Sequence, residues 1–183
     1  MDCCWGAKDP EMRAYHDVWG TPVHDDLTLF EFLVLEGFQA GLSWSTILHK
    51  KPAFEAAFAG FVPERVAAFG DADVQRLLGD PGIVRNRLKI LAAVNNARCF
   101  LDVQRELGSF DRYLWGFVDG TPVVHHLATW SDMPVTTPLS DRISKDLARR
   151  GFKFVGSTIV YSYLQAMGVV DDHLEGCDRK AKG

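Results

Sequence analysis

The sequence lacks a long hydrophobic run: no stretch approaches the ~20 apolar residues that a transmembrane helix requires. Met1 is not followed by the pattern of a secretory signal peptide. Cysteine is also scarce, with four residues in a chain of 183. We therefore expect a cytoplasmic protein without membrane contact, whose cysteines are thiols or metal ligands rather than disulfides.

An excess of positive charge is missing as well. The formal net charge is −4 at pH 7, from 20 Lys and Arg residues against 24 Asp and Glu residues. The molecule as a whole therefore does not attract nucleic acid, and any such contact requires a local basic patch. Residues 85–89 and 148–154 could each supply one, although each also fits the solvated face of a helix.

Repeats, low-complexity tracts and a convincing β-strand pattern are absent from the sequence. Helical segments instead follow one another with short connections, and the third is expected to kink or restart at Pro52. A long helix is predicted from about residue 84 to residue 107, and residues 119–138 are predicted to form an extended loop. Helix starts are marked by Asp9-Pro10, Asp25 or Asp26, Ser43 and Pro63. The sequence predicts one all-α domain covering residues 1–183.

One carboxylate stands out in the segment LEGFQAGLSW, residues 35–44. On a helix with 3.6 residues per turn, Glu36 points between the directions of Leu29 and Phe32, toward packed surface. An unpaired buried carboxylate is costly. Glu36 therefore either has a structural partner, such as an arginine or a set of backbone N–H groups, or is held for a ligand.

Possible metal ligands occur at both ends of the chain. Cys3 and His16 lie near the start, and His173 and Cys177 lie near the end. Together they form a Cys2His2 set suited to tetrahedral zinc, with Asp17 as a possible partner that orients the His16 ring. Four protein ligands would fill the coordination shell, so such a zinc ion would be structural. Alternatively, the cysteines are unrelated thiols and the histidines are surface residues.

Several motifs resemble the DNA-3-methyladenine glycosylases of the constitutive bacterial type, the type I enzymes. The shared motifs are C-x-W (3–5), AYHD (14–17), WG (19–20), LEGFQAGLSW (35–44), GIVRNRLKI (82–90), RRGFKFVGSTI (149–159) and DHLEGC (172–177). The resemblance implies an all-α domain of the helix-hairpin-helix glycosylase superfamily, with the chain ends joined by structural Zn²⁺ on Cys3, His16, His173 and Cys177. It also implies double-stranded DNA containing alkylated bases as partner, and we expect a monomer.

The same resemblance gives a role to the carboxylate in LEGFQAGLSW. Glu36 would be the catalytic residue, accepting hydrogen bonds from the exocyclic amine side of a positively charged 3-methyladenine. Tyr15 and Trp44 would sandwich the base, and Trp5 and Trp19 would complete the wall. For Tyr15, Trp5 and Trp19, a role as ordinary core aromatics stays open.

Two segments are expected to hold the DNA. The hairpin that contains Lys153 and Gly156 resembles a turn between two helices, where backbone N–H groups receive a phosphate. Gly41 and Leu42 lie at the tip of a short loop that could enter the gap left by a flipped base.

Two features depart from the family pattern. The segment YHDVWG is one residue shorter and lacks a glutamate before its tryptophan, and Asp171 stands where asparagine is common. Asp171 could assist cleavage of the glycosidic bond, or it could be a capping residue beside His173.

No lysine lies in a recognisable nucleophile motif, so strand cleavage through a Schiff base is not indicated.

Two rival functions need different features of the sequence. A non-catalytic, zinc-stapled module that binds damaged DNA is one alternative. A metallohydrolase is another, but it would need His125 or His126 in a separate metal site.

Overall fold

Helices dominate the computed structural model, which describes residues 9–180. The helices are α1 (Pro10–His16), α2 (Asp26–Gln39), α3 (Trp44–Ala57), α4 (Pro63–Ala67), α5 (Asp71–Gly79), α6 (Arg87–Leu107), α7 (Phe110–Trp115), α8 (Pro138–Arg149) and α9 (Ser157–Ala166). Two strands, β1 (Val123–Val124) and β2 (Val170–Asp171), accompany them. The fold is therefore mostly helical, whereas the sequence predicted an all-α domain.

The helix starts agree with the capping signals in the sequence. The N-caps are Asp9 for α1, Asp25 for α2 and Ser43 for α3, and each side chain accepts a hydrogen bond from a backbone N–H in the first turn. A kink or a restart was predicted at Pro52, and the restart is wrong, because α3 continues through this residue. Ile47 and Phe54, on either side of the proline, are fully buried in the core. Their packing holds both halves of α3 in one helix despite the backbone hydrogen bond that proline cannot donate.

The expectation that the chain contains no strand is also wrong. Strands β1 and β2 are parallel neighbours, with Val123 opposite Val170 and Val124 opposite Asp171. Each strand has only two residues, which is too short to produce an alternating pattern in the sequence. The pair ties the turn-rich segment after α7 to the chain that follows α9.

Helix α2 lies at the centre of the fold, in contact with α3, α6, α7 and α9. Its first residue, Asp26, accepts hydrogen bonds from the backbone N–H groups of Phe110 at 2.9 Å and Asp111 at 2.8 Å. The carboxylate thereby satisfies N–H groups at the start of α7 that have no partner within that helix. This contact fixes the N-terminal end of α2.

A lysine from α6 holds the other end of α2. Lys89 is buried, and its Nζ donates to the carbonyl oxygens of Phe38 at 2.8 Å and Ala40 at 2.6 Å. These carbonyls lie at the negative end of the helix dipole, where a cation is favourable. Burial lowers the pKa of Lys89 below its ordinary value. Both ends of α2 are thus anchored by charged side chains.

Helices α8 and α9 pack against each other and are joined by a hairpin, residues 150–156. Asn96 of α6 holds the hairpin, since its Nδ2 donates to the Lys153 carbonyl and its Oδ1 accepts from the Lys153 N–H, both at 2.8 Å. Asn95 Nδ2 donates to the Gly151 carbonyl at 2.8 Å. These contacts leave Lys153 exposed, together with Gly156 at the start of α9.

The longest helix, α6, has 21 residues and carries charges along its length. Among residues 9–180, no helix is both long enough and apolar enough to span a bilayer. The cytoplasmic location stays a prediction.

Candidate active site

A cavity of about 310 Å³ opens beside the middle of α2. It is lined by the aromatic residues Tyr15, Trp19, Trp44 and Trp130, by Met12 and Met133, and by the polar residues Glu36, Gln39, Ser162 and Gln165. Mostly apolar walls with a few polar groups are typical of a site for a small, flat molecule. The structure therefore brings Glu36, Tyr15, Trp19 and Trp44 together, as the sequence predicted.

Among the described residues, Glu36 is the only acidic one that lines this cavity. It is 3% exposed, and burial raises the pKa of its carboxyl group to about 8. Within residues 9–180, no side chain or backbone N–H group hydrogen-bonds to this carboxylate. The arginine or backbone partner that would make Glu36 a structural residue is therefore not found there. This arrangement favours a group held for a positively charged ligand.

Tyr15 and Trp44 form two adjacent walls of the cavity. Their ring centroids are 5.2 Å apart and the ring planes are inclined by 49°, so the rings do not face each other in parallel. Phe32 stacks on Tyr15 and is also close to Trp44, with its ring centroid 6.1 Å from each of the other two. Burial, together with the nearby charge of Glu36, raises the pKa of Tyr15 well above its ordinary value. The Tyr15 hydroxyl is therefore protonated and neutral at physiological pH.

Trp19 connects the cavity to a cluster of possible metal ligands. Its ring meets the His173 ring edge-on at 4.9 Å, and His173 lies 5.3 Å from the His16 ring. The ligand atoms of His16, His173 and Cys177 all lie within 4.8 Å of one another. Three of the four predicted zinc ligands therefore come together, while Cys3 and the predicted wall residue Trp5 lie outside the described residues.

The chemistry of this cluster fits a zinc ion. His173 Nδ1 is 2.7 Å from Asp171 Oδ1, which orients the ring. His173 Nε2 is buried and has no hydrogen-bond partner among the described residues, as expected of a nitrogen reserved for a metal. Zinc would bind Cys177 as its thiolate, and the Cys177 sulfur lies beside the two histidine nitrogens.

Asp171 and Asp17 differ in their relation to the cluster. Asp171 Oδ1 also accepts from the His173 backbone N–H at 3.0 Å, and Asp171 is not among the residues that line the cavity. This favours the capping interpretation over assistance in bond cleavage. Asp17 forms an ion pair with Arg179 at 2.9 Å. Its close partner is therefore the arginine rather than the predicted His16 ring.

The loop at residues 40–43 borders the cavity, because Gln39 before it and Trp44 after it both line the wall. Gly41 has a φ of +78°, which glycine adopts without strain, and no atom lies within 4 Å of the place where a Cβ would be. Leu42 is 37% exposed, and its carbonyl accepts from Gln39 Nε2 at 2.7 Å. The predicted loop tip is therefore held in place but open to solvent.

Several residues of the cavity were not predicted from the sequence. Trp130 and Met133 come from the turn-rich segment, and Ser162 and Gln165 come from α9. Gln165 could have been identified from the sequence, because a long polar side chain in an otherwise apolar stretch of helix is unusual. No comparable signal marks Trp130, whose position depends on how its loop folds back.

A metallohydrolase would need His125 or His126 in a separate metal site, but each of these histidines contacts a carboxylate instead. His125 Nδ1 is 2.6 Å from Asp172 Oδ1, and His126 Nδ1 is 2.7 Å from Glu175 Oε1. Within the described part of the chain, neither belongs to a group of three candidate metal ligands. The residues for a separate catalytic metal site are therefore not assembled.

Comparisons with known proteins agree with this geometry. The chain is 48% identical over 176 residues to DNA-3-methyladenine glycosylase 1 of Escherichia coli (strain K12), which covers 96% of this chain and 94% of the relative. It is 38% identical to DNA-3-methyladenine glycosylase of Haemophilus influenzae over 97% of both chains. A solved structure describing 3-methyladenine recognition by 3-methyladenine DNA glycosylase I of Staphylococcus aureus matches with a TM-score of 0.95 at 44% identity, covering 100% of this chain and 97% of that one. Residues 5–180 match the family model for methyladenine glycosylase, and the chain therefore belongs to the methyladenine glycosylase family.

Proposed function

We propose that this protein is a monofunctional DNA glycosylase that hydrolyses the N-glycosidic bond of 3-methyladenine in alkylated double-stranded DNA. The products are the free base and an abasic site, as in the first step of base excision repair. The observation that carries the proposal is the buried carboxylate of Glu36, which lacks a hydrogen-bond partner in the described structure and lies between aromatic walls. The names of the similar proteins support the same activity.

The proposed chemistry follows from the charge of the lesion. Methylation at N3 makes the purine a cation and weakens its bond to the sugar, so the base is already a good leaving group. The enzyme must extrude the nucleotide and hold this flat cation. Glu36 supplies a negative charge and a hydrogen-bond acceptor, and the faces of Tyr15 and Trp44 add a cation–π contribution of about 1–2 kcal/mol in a desolvated site.

The lining of the cavity also supports hydrolysis without strand cleavage. A Schiff-base mechanism needs an amine nucleophile at the sugar. No lysine lines the cavity within the described residues. Water is therefore the proposed nucleophile.

We further propose that the hairpin at 150–156 is a helix-hairpin-helix element that binds a DNA phosphate. The exposed Lys153 and the N–H groups that follow Gly156 at the start of α9 support this role. Gly41 and Leu42, on the other hand, border the cavity and are suited to fill the space of an extruded nucleotide. The α2–α3 loop and the hairpin would hold one DNA molecule on a monomer.

The activity can be tested on duplex DNA treated with a methylating agent. We expect the purified protein to release 3-methyladenine, measured by chromatography of the free bases, and to leave strands that break only after alkali treatment. Unmethylated DNA is the control. If the protein binds methylated DNA selectively but releases no base, it is a non-catalytic damage-binding module and the proposal is wrong.

Structural zinc is the second part of the proposal, with His16, His173, Cys177 and the predicted Cys3 as ligands. The buried Nε2 of His173 and the close approach of the three described ligand atoms support it. The metal would join the chain ends and fix the histidine against which Trp19 packs. With four protein ligands its role is structural, and the residues of the cavity carry out the reaction.

We expect about one zinc ion per purified chain, measured by atomic spectroscopy, because a closed Cys2His2 set binds zinc tightly. Cys177→Ser should lose most of this zinc and melt at a lower temperature. Cys99→Ser is the matched control, because Cys99 is a buried free cysteine outside the cluster. The result would contradict the zinc proposal if the wild-type protein contains no zinc and only two of its four cysteines titrate as thiols, because the other two then form a disulfide.

A further inference from the structure

A buried network lies behind the cavity wall, centred on Asp172. This carboxylate is fully buried and accepts hydrogen bonds from three side chains. Its Oδ1 faces His125 Nδ1 at 2.6 Å, and its Oδ2 accepts from Gln165 Nε2 at 2.6 Å and from the Tyr161 hydroxyl. Gln165 belongs to this network and also lines the cavity, whereas Asp172 and Tyr161 do not line it.

The network fixes which end of the Gln165 amide faces the cavity. A carboxylate oxygen that already serves as an acceptor requires the NH2 group of the amide. The second N–H of this group points to Met133 Sδ at 3.3 Å. Both donors of Gln165 are therefore engaged, and no described residue donates to its Oε1. Since Oε1 is not among the buried atoms that lack a partner, it is accessible from the cavity.

We infer that Gln165 is a specificity-determining residue that recognises the exocyclic amine of the methylated purine through its Oε1; this inference rests on the proposed function. The amine at position 6 of adenine carries two N–H donors, whereas guanine and hypoxanthine carry a carbonyl oxygen there. Glu36 and Gln165 both present acceptors to the cavity. A carbonyl oxygen at position 6 is itself an acceptor and could not form a hydrogen bond with these two acceptors. A base with a carbonyl there would therefore bind less well.

The fixed orientation distinguishes Gln165 from the other polar groups of the wall. The Ser162 hydroxyl can either donate or accept, so it tolerates both kinds of base. Gln39 is only half-buried, and its amide bonds to the Leu42 carbonyl of the 40–43 loop. A free glutamine could rotate its amide and offer NH2 to a carbonyl. Gln165 cannot do so without breaking its hydrogen bond to Asp172.

The test compares 3-methyladenine with 3-methylhypoxanthine, which has a carbonyl oxygen in place of the amine at position 6, and follows binding by quenching of tryptophan fluorescence. Wild type should prefer 3-methyladenine. In Gln165→Met, a substitution of similar length, affinity for 3-methyladenine should fall about 3- to 10-fold, the usual effect of one hydrogen bond. Affinity for 3-methylhypoxanthine should not fall, so the preference shrinks by the same factor.

A control variant separates recognition from a structural effect. Tyr161→Phe removes a different donor from Asp172 Oδ2, and Tyr161 does not line the cavity, so this variant should keep the wild-type preference. The inference is overturned if Gln165→Met binds 3-methyladenine as wild type does or weakens both bases equally. It is also overturned if Tyr161→Phe reduces the preference as Gln165→Met does. If wild type binds neither base, the proposed function itself fails.

Discussion

Glu36→Gln is expected to slow release of 3-methyladenine from methylated duplex DNA by about 100-fold or more, the usual cost of removing a catalytic charge from a desolvated site. The amide retains the size of the side chain and one acceptor oxygen. It loses the negative charge that favours a cationic base over a neutral one. The measurement is the single-turnover rate of base release with enzyme in excess, after the uncatalysed release has been subtracted.

Glu31→Gln is the matched control for this variant. Glu31 lies on the same helix, five residues earlier, but forms an ion pair with Lys51 at 2.6 Å and does not line the cavity. Its replacement should leave the excision rate close to that of wild type. If Glu36→Gln keeps a rate within about tenfold of wild type while melting normally, another residue carries the charge recognition.

The second large effect is a dependence of lesion capture on pH. Because burial raises the pKa of Glu36 to about 8, the free enzyme carries a mostly protonated, neutral Glu36 at pH 6. The methylated nucleotide is a cation at every pH used, and it favours the ionised carboxylate. Binding therefore displaces a proton below pH 8. We expect kcat/KM to rise by up to about tenfold per pH unit from pH 6 and to level off above pH 8.

The direction in which kcat/KM changes with pH shows which ionisation state of Glu36 is active. A group whose pKa is raised is ionised only at higher pH, so capture of a cation must improve as pH rises and weaken as pH falls. The residual rate of Glu36→Gln should be flat between pH 6 and pH 8, since glutamine does not titrate there. A wild-type profile that falls over this range would mean that the neutral acid, acting as a donor, is the active form.

Much of the fold was predictable because its signals are local. Asp9, Asp25 and Ser43 cap the helices that the sequence assigned to them, since a capping side chain acts on N–H groups only a few residues away. The central carboxylate was recognisable in the same way. A charged residue in an apolar helix face is unusual, and Glu36 proved to be buried.

The features that could not be predicted depend on contacts between distant segments. The pairing of Val123 with Val170 involves only two residues per strand, and α3 passes through Pro52 because core packing outweighs the local preference. Within the cavity, Trp130 and Gln165 become neighbours of Glu36 only through the tertiary fold. The zinc ligands, the sandwich of the base and the hairpin contact to DNA stay predictions.

The anchoring of α2 by Asp26 at its start and by Lys89 at its end has a consequence for how a base is bound. A helix tied at both ends is already preorganised, so no backbone segment beside Glu36 has to become ordered when a base enters. Little conformational entropy is then lost at that moment. The interaction free energy is instead available to compensate for the few kcal/mol needed to unstack a nucleotide from the duplex.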